Sequence, residues 1–169
     1  MNLDNLIANI SKGDTSSFEK LYEKTKKTVY HVALSIVRDR SLAEDVVQSA
    51  YLSILRNAAS YKVGTNANAW IYTIARNEAL LVKRRCEREF PVNEQENIAM
   101  FGSKQIDEYG LLIDTARRIL PEDEFVILLV IAADGYKRRE ISEMLSLPVS
   151  TVTYKYQCAT DKMRKALAE

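Results

Sequence analysis

Between residues 61 and 88 the chain pairs ring side chains with cations. Tyr61, Trp70 and Tyr72 are followed by Arg76, Lys83, Arg84, Arg85 and Arg88. Single-stranded nucleic acid is held by stacking bases on aromatic faces beside a cationic track, and this set has that chemistry. A structural role competes, because Trp70 also fits helical core spacing and the basic run also fits a solvated helix end. A second set lies near the C terminus. Ser150, Thr151, Thr153, Tyr154, Lys155, Gln157 and Cys158 fall off an apolar stripe, just after a turn at Leu147-Pro148, and Arg138 and Arg139 open the helix before it. That is the spacing of a helix-turn-helix. Its second helix offers polar side chains to the major groove, while arginines hold phosphates that position the domain without reading sequence. A plain three-helix bundle with a solvated face has the same periodicity. A third set, Glu44, Asp45 and Gln48, shares part of a helix surface, with Val46 and Val47 turned inward. It suits the docking of a basic or polar partner helix, or simply solvated surface.

No catalytic constellation stands beside these. His31 is the single histidine and has no Ser or Cys partner implied by any motif. No phosphate-cradling glycine motif is present. Cys86 and Cys158 lie far apart, with no metal-ligand spacing and no disulfide framework. The chain reads as a non-enzyme without cofactor or metal.

Positioning these side chains requires helices. Phe18, Leu21, Tyr22, Thr25, Val29, Val32, Ala33 and Ile36 step by three and four, with Asp14 or Thr15 at the cap. Arg38-Asp39-Arg40 interrupts. Ser41 with Glu44 reads as a capping box ahead of the stripe Ala43, Val46, Val47, Ala50, Tyr51, Ile54 and Leu55. After a loop over 61–68, Asn66 or Asn68 caps a third helix carrying Trp70, Ile71, Ile74, Ala75 and Leu81. Pro121 and the acids behind it suit a helix start, followed by the stripe Phe125, Leu128, Leu129 and Ala132, with Gly135 as its stop. Ile141, Met144 and Leu145 mark a short helix. Val152, Tyr156, Ala159, Met163 and Leu167 mark a last one. The fold class is all-α, with two small helical domains joined by a flexible linker: residues 1–88, a linker over 89–114, and residues 115–169. The linker rests on Pro91, Gly102, Ser103 and Gly110 in a stretch without periodicity.

Charge is distributed unevenly over these parts. The 169 residues hold 24 basic and 23 acidic side chains, net +1. Residues 1–88 hold 14 basic and 9 acidic, residues 89–118 hold 3 and 6, and residues 119–169 hold 7 and 8. The neutral total excludes a histone-like coat, yet the first half is cationic. No apolar run approaches the roughly 18 residues of a membrane span, and the start lacks the pattern of a signal peptide, so a cytoplasmic protein without membrane insertion is expected.

Several stretches together resemble a known family. Gly13-Asp14, Phe18-Glu19, Leu21-Tyr22, then Ala43-Glu44-Asp45-Val46-Val47-Gln48, then Trp70-Ile71-Tyr72-Thr73-Ile74-Ala75-Arg76-Asn77 and Arg84-Arg85 are similar to region 2 of the extracytoplasmic-function sigma factors, the group IV members of the sigma-70 family. Leu120-Pro121-Glu122, Arg139-Glu140-Ile141 and Leu147-Pro148-Val149-Ser150-Thr151-Val152 resemble region 4. The resemblance implies a subunit that binds core RNA polymerase and directs it to promoter DNA. Glu44, Asp45 and Gln48 would dock the polymerase clamp. Tyr61, Asn66, Asn68, Trp70, Tyr72, Arg76, Asn77, Lys83, Arg84 and Arg85 would recognise and melt the −10 element. Arg138, Arg139, Ser150, Thr151, Thr153, Tyr154, Lys155 and Gln157 would bind the −35 duplex. An anti-sigma factor, in many family members membrane-bound, is an implied further partner.

The recognition helix departs from the family's usual basic series, reading Thr153-Tyr154-Lys155-Tyr156-Gln157-Cys158-Ala159-Thr160. Fewer phosphate contacts mean weaker and less salt-dependent −35 binding. Ser142 and Ser146 replace the small Ala and Gly usual there, and Ser146 carries a cost if its backbone needs positive φ. Two other readings stay open: a free-standing helix-turn-helix regulator, and a sigma-like interaction protein without promoter activity.

Overall fold

The computed structural model describes residues 2–89 and 108–168. Every regular element among them is helical. The α-helices are α1 (Leu3–Ile10), α2 (Thr15–Val37), α3 (Arg40–Asn57), α4 (Ala67–Glu89), α5 (Glu108–Ile119), α6 (Glu122–Ala132), α7 (Arg138–Leu145) and α8 (Val149–Ala168), with a 3-10 turn at Ala58–Ser60. The expected linker lies mostly outside the described residues. Its last part does not, because α5 begins at Glu108 rather than at 115. α1 was not anticipated, although Leu3, Leu6, Ile7 and Ile10 carry helical spacing and the last three are buried.

The starts follow side-chain chemistry. Asp14 caps α2, its Oδ1 accepting the Ser16 N–H at 3.0 Å. Asn66 caps α4, accepting the Ala69 N–H at 2.9 Å. The Ser41 capping box does not form. α3 begins at Arg40, and Asp39 accepts the Leu42 N–H at 2.8 Å instead. Arg38 takes the left-handed conformation at φ +59° and turns the chain so that Asp39 reaches the cap position. A carboxylate there also complements the positive helix end, which a hydroxyl two residues later does not.

Two units result. In the first, α2 is the central helix, packed by α1, α3 and α4. Leu6, Ile7, Leu21, Val29, Val32, Val46, Ala50, Ile54, Ile71, Ala75 and Ala79 fill it. In the second, α8 contacts α5, α6 and α7 around Phe125, Ile141, Met144, Val152, Ala159 and Met163. Some stripe residues fall outside these cores, Tyr22 and Ala132 among them. Leu55, Leu81 and Leu167 are exposed, each on the outward side or end of its helix.

The units are joined by α6. Residues 125–132 read Phe-Val-Ile-Leu-Leu-Val-Ile-Ala, apolar in every direction around the helix. Such a helix needs cover on more than one side. α8 supplies one cover and α2 of the first unit the other. Phe125, Val126, Ile127, Leu129 and Val130 are buried, a wider surface than the expected one-sided stripe. The same contact explains why the second half of α2 is buried nearly all round, from Thr28 to Ile36 except Tyr30.

Polar groups frame this contact. Arg38 donates to the Arg117 carbonyl at 2.6 Å and the Leu120 carbonyl at 3.1 Å, and its guanidinium lies 5.0 Å from the Phe125 ring centre. Arg117 returns a bond to the Arg38 carbonyl at 2.5 Å. Arg40 meets Asp114 at 3.1 Å. His31 Nδ1 lies 3.0 Å from Asp134 Oδ2, and both side chains are closed off from solvent.

Arg38→Ala removes two charge-assisted bonds and should cost about 2 kcal/mol in urea unfolding. It should also enlarge the radius of gyration in solution scattering; an unchanged radius would mean that the apolar contact holds the units alone. Ser146 does adopt the left-handed conformation, at φ +55°. Ser146→Gly should therefore stabilise the protein by up to about 1 kcal/mol, read as a higher thermal midpoint.

Candidate nucleic-acid interface

On α3 the buried positions Ala43, Val46, Ala50 and Ile54 face the bundle. That leaves Glu44, Asp45 and Gln48 exposed on the opposite side. Leu52 and Leu55 continue the same face at 57% and 43% exposure. The sequence reading missed them as surface residues. The signal was available, since 48, 52 and 55 repeat the helical step on the polar side. The result is a surface row with acids at one end and two leucines at the other, which suits a partner that is partly basic and partly apolar.

The aromatic–basic set divides into three groups. Tyr61, Trp70 and Asn66 are structural. Tyr61 is buried, packs on Trp70 with ring centres 5.1 Å apart, and donates its hydroxyl to Asp4 at 2.5 Å. Trp70 is half-buried against the core. Asn66 spends its side-chain oxygen as a cap. The second group faces the other unit. Asn68 and Tyr72, with Thr25, Thr28, Val29, Val32, Ile71 and Ala75, line a crevice closed by Tyr136 and Met144. Its volume of about 10 Å³ is roughly that of one water probe. Burial there pushes the Tyr72 phenol above its ordinary range. Arg76 reaches Glu122 at 3.9 Å. The third group is open. Asn77, Lys83, Arg84 and Arg85 are exposed, and Thr73, Asn77 and Leu81 mark the outward row of α4 that leads to them.

In the second unit, α7, the turn and α8 form the expected helix-turn-helix. Ser142 donates to the Leu147 carbonyl at 2.5 Å and closes the turn. Ser150, Tyr154 and Gln157 are exposed, Tyr154 at 67%. Thr151 and Thr153 are half-buried, and the Thr153 hydroxyl returns to the Val149 carbonyl at 2.8 Å. Cations on this unit are largely neutralised internally. Lys155 bonds Asp123, Lys162 pairs with Glu124 at 2.8 Å, and Arg139 pairs with Glu143 at 3.5 Å. Arg138 lies 5.5 Å from the Tyr156 ring centre. Partial burial acts to raise the Asp123 carboxyl, but Lys155 and the Glu124 N–H outweigh it and hold it below the usual carboxylate range. The Lys155 ammonium is correspondingly raised, first by its bond to Asp123.

Among the described residues, no cluster of three or more His, Cys, Asp or Glu could hold a metal ion, and no helix is long and apolar enough to cross a membrane. Cys86 and Cys158 are free and half-buried.

This geometry has counterparts. The profile of sigma-70 region 2 matches residues 21–89, from within α2 to the end of α4. The chain is 29% identical over 150 residues to the extracytoplasmic-function RNA polymerase sigma factor SigK of Mycobacterium bovis, covering 88% of this chain and 70% of that protein. It is 26% identical over 165 residues to SigK of a Mycobacterium species (strain KMS), covering 89% and 82%. Residues 21–89 thus match sigma-70 region 2, and the chain as a whole is similar to extracytoplasmic-function sigma factors. The fold agrees. The sigma factor RpoE of Bartonella quintana, solved with the anti-sigma factor NepR, superposes with a TM-score of 0.68 at 20% identity, over 91% of this chain and 98% of that one. CnrH, solved with the cytosolic domain of CnrY, gives 0.68 at 17% identity, over 98% and 96%.

The sigma-70 region 2 match leaves out α1 and the whole second unit, which the SigK alignments and the fold comparisons largely include. The internal pairing between α6 and α8 has a measurable consequence. Asp123→Asn with Glu124→Gln should free two lysines and steepen the salt dependence of duplex binding. The slope of log K against log salt should grow by up to about 2, as seen by fluorescence anisotropy from low to moderate salt.

Proposed function

We propose that this chain is a promoter-specificity subunit of bacterial RNA polymerase. Its α3 face of Glu44, Asp45, Gln48, Leu52 and Leu55 docks the polymerase clamp. Its 61–89 segment engages and melts the −10 element, and its helix-turn-helix contacts the −35 duplex. The observation that carries this reading is the union, on one region 2 fold, of an exposed α3 row and an exposed α4 row ending in Lys83, Arg84 and Arg85. Melted DNA needs both: a firm anchor on the polymerase, and cations for the displaced strand. The protein works where the polymerase is, in the cytoplasm.

The contact between the units bears on how this happens. Tyr72 and Arg76 reach DNA only when α6 and α7 leave α2 and α4. Core polymerase holds both units apart and joins several weak contacts into useful affinity. The free protein is then a poor DNA binder. Likeness to a sigma factor solved with an anti-sigma factor supports one further partner, an anti-sigma factor that keeps this chain from polymerase. The internally paired lysines favour a −35 contact built on Ser150, Thr151, Tyr154 and Gln157 more than on phosphate charge.

The decisive assay is reconstituted transcription. Protein plus core polymerase should give run-off transcripts from a cognate promoter, and neither alone should. Absence of core binding in a pull-down would refute the reading. Asp45→Ala with Gln48→Ala should lower core affinity about tenfold, or 1.4 kcal/mol. Arg76→Ala with Asn77→Ala should reduce open-complex formation, measured by permanganate reactivity, while core binding survives.

A further inference from the structure

The segment from 61 to 66 joins the 3-10 turn to α4, and its outer residues Lys62, Val63, Gly64 and Thr65 are all exposed. Its own bonding is sparse. The Thr65 N–H and hydroxyl both return to the Lys62 carbonyl, at 3.2 and 2.7 Å, and Gly64 sits at φ +90°. A turn of that kind has a shape but no fixed attitude toward the body of the protein. The attitude comes from α1. One carboxylate oxygen of Asp4 accepts the Tyr61 hydroxyl at 2.5 Å and the Gly64 N–H at 3.2 Å, so it grips the base and the tip of the loop together. The Tyr61 hydroxyl also lies 3.2 Å from the Thr65 carbonyl. Asp4 is itself held, because its N–H donates to the Asn2 side chain at 2.6 Å and the next turn of α1 buries Leu6 and Ile7. The Asp4 carboxyl lies below its ordinary range, chiefly through the Tyr61 bond, so it is an anion and a full acceptor at neutral pH.

The loop and the start of α1 also enclose an open polar depression of about 520 Å³, bounded by Asp4, Gly64, Thr65, Asn66 and Asn68, with Glu143 of α7 on its far side. That volume lies in the range of small-molecule sites and exceeds what one nucleobase needs. Glu143 leaves with α7 when the units part, so the side of the depression that persists is the one between α1 and the loop, which the Asp4 bonds hold.

We propose that Asp4 is a specificity-positioning residue: through Tyr61 and the Gly64 N–H it sets the loop that selects among bases in the −10 element. This deepens the promoter reading above and rests on it. Asp4 touches no base in this scheme. It determines how closely the 64–66 backbone and Asn66 approach one. Because α1 lies outside the matched region 2 segment, base preference is tuned from a part of the chain that carries no reading residue of its own.

The test uses full-length protein assembled with core polymerase. A duplex library randomised over the −10 element is offered to wild type, Asp4→Asn and Tyr61→Phe, and bound molecules are sequenced. Core affinity and thermal midpoint are measured alongside. Tyr61→Phe keeps the ring on Trp70 and removes only the hydroxyl, so it decides the matter if Asp4→Asn loosens α1. The expected result is unchanged core binding with a relaxed preference at one or two −10 positions, the ratio of best to worst base falling about three- to tenfold. A uniform loss across all sequences, or preferences identical to wild type, overturns the positioning role while leaving the sigma reading intact. A wild-type holoenzyme that selects no −10 motif overturns the promoter reading, and this proposal with it.

Discussion

The run of eight apolar residues on α6 imposes a constraint that its own unit cannot meet. A helix with one apolar stripe is satisfied by one neighbour, whereas a helix apolar on every side must be sandwiched. α8 covers part of it and α2 the remainder, so the second unit completes its core on the first. Much else follows from that arrangement. The C-terminal half of α2 becomes interior, Tyr72 and Asn68 become crevice walls, and the partly exposed Arg76 comes within 3.9 Å of Glu122.

The frame around this apolar contact is polar, and the two differ in consequence. Apolar burial is non-directional and re-forms readily with another apolar surface. The Arg38–Arg117 exchange and the His31–Asp134 pair fix one geometry. The frame is also imperfect: among the described residues, Asp134 Oδ1 is buried without a hydrogen-bond partner, and Asp114 Oδ1 has only the Arg117 guanidinium at 3.4 Å. Unsatisfied buried acceptors cost free energy that separation returns to water. An interface with an apolar centre and a costly rim holds the units together without locking them, as is usual between domains of one chain.

What could be read from sequence follows physical range. Local signals were legible: the caps at Asp14 and Asn66, the turn at Leu147-Pro148, the strain at Ser146, and the exposed set Glu44, Asp45 and Gln48. Each depends on residues within a turn or two. The Ser41 cap failed because Asp39, two residues earlier, takes the cap position and puts Ser41 inside the helix, and a motif at correct spacing does not exclude a stronger neighbour. Relations across the chain were not legible. His31 looked solitary because its partner lies 103 residues away. Tyr61 looked like a stacking surface because Asp4, 57 residues earlier, gave no sign of claiming its hydroxyl. Lys155 looked like a phosphate ligand because Asp123 belongs to another helix. Periodicity tells which side of a helix turns inward. It does not tell which neighbour arrives there, and half of the candidate site depends on that.

The continuity of α4 has a geometric consequence. It runs 23 residues without a break, from the capped turn at Asn66 to the basic end at Arg88. At 1.5 Å per residue that is a rod of about 35 Å. The angular phase between its half-buried start and its cationic end is therefore set by residue count alone. A substitution along the rod changes one side chain. A single insertion or deletion between Asn77 and Lys83 rotates every cation beyond it by about 100° and carries the basic end off the row it now extends. Change in this segment is open to exchange of residues and closed to change of length.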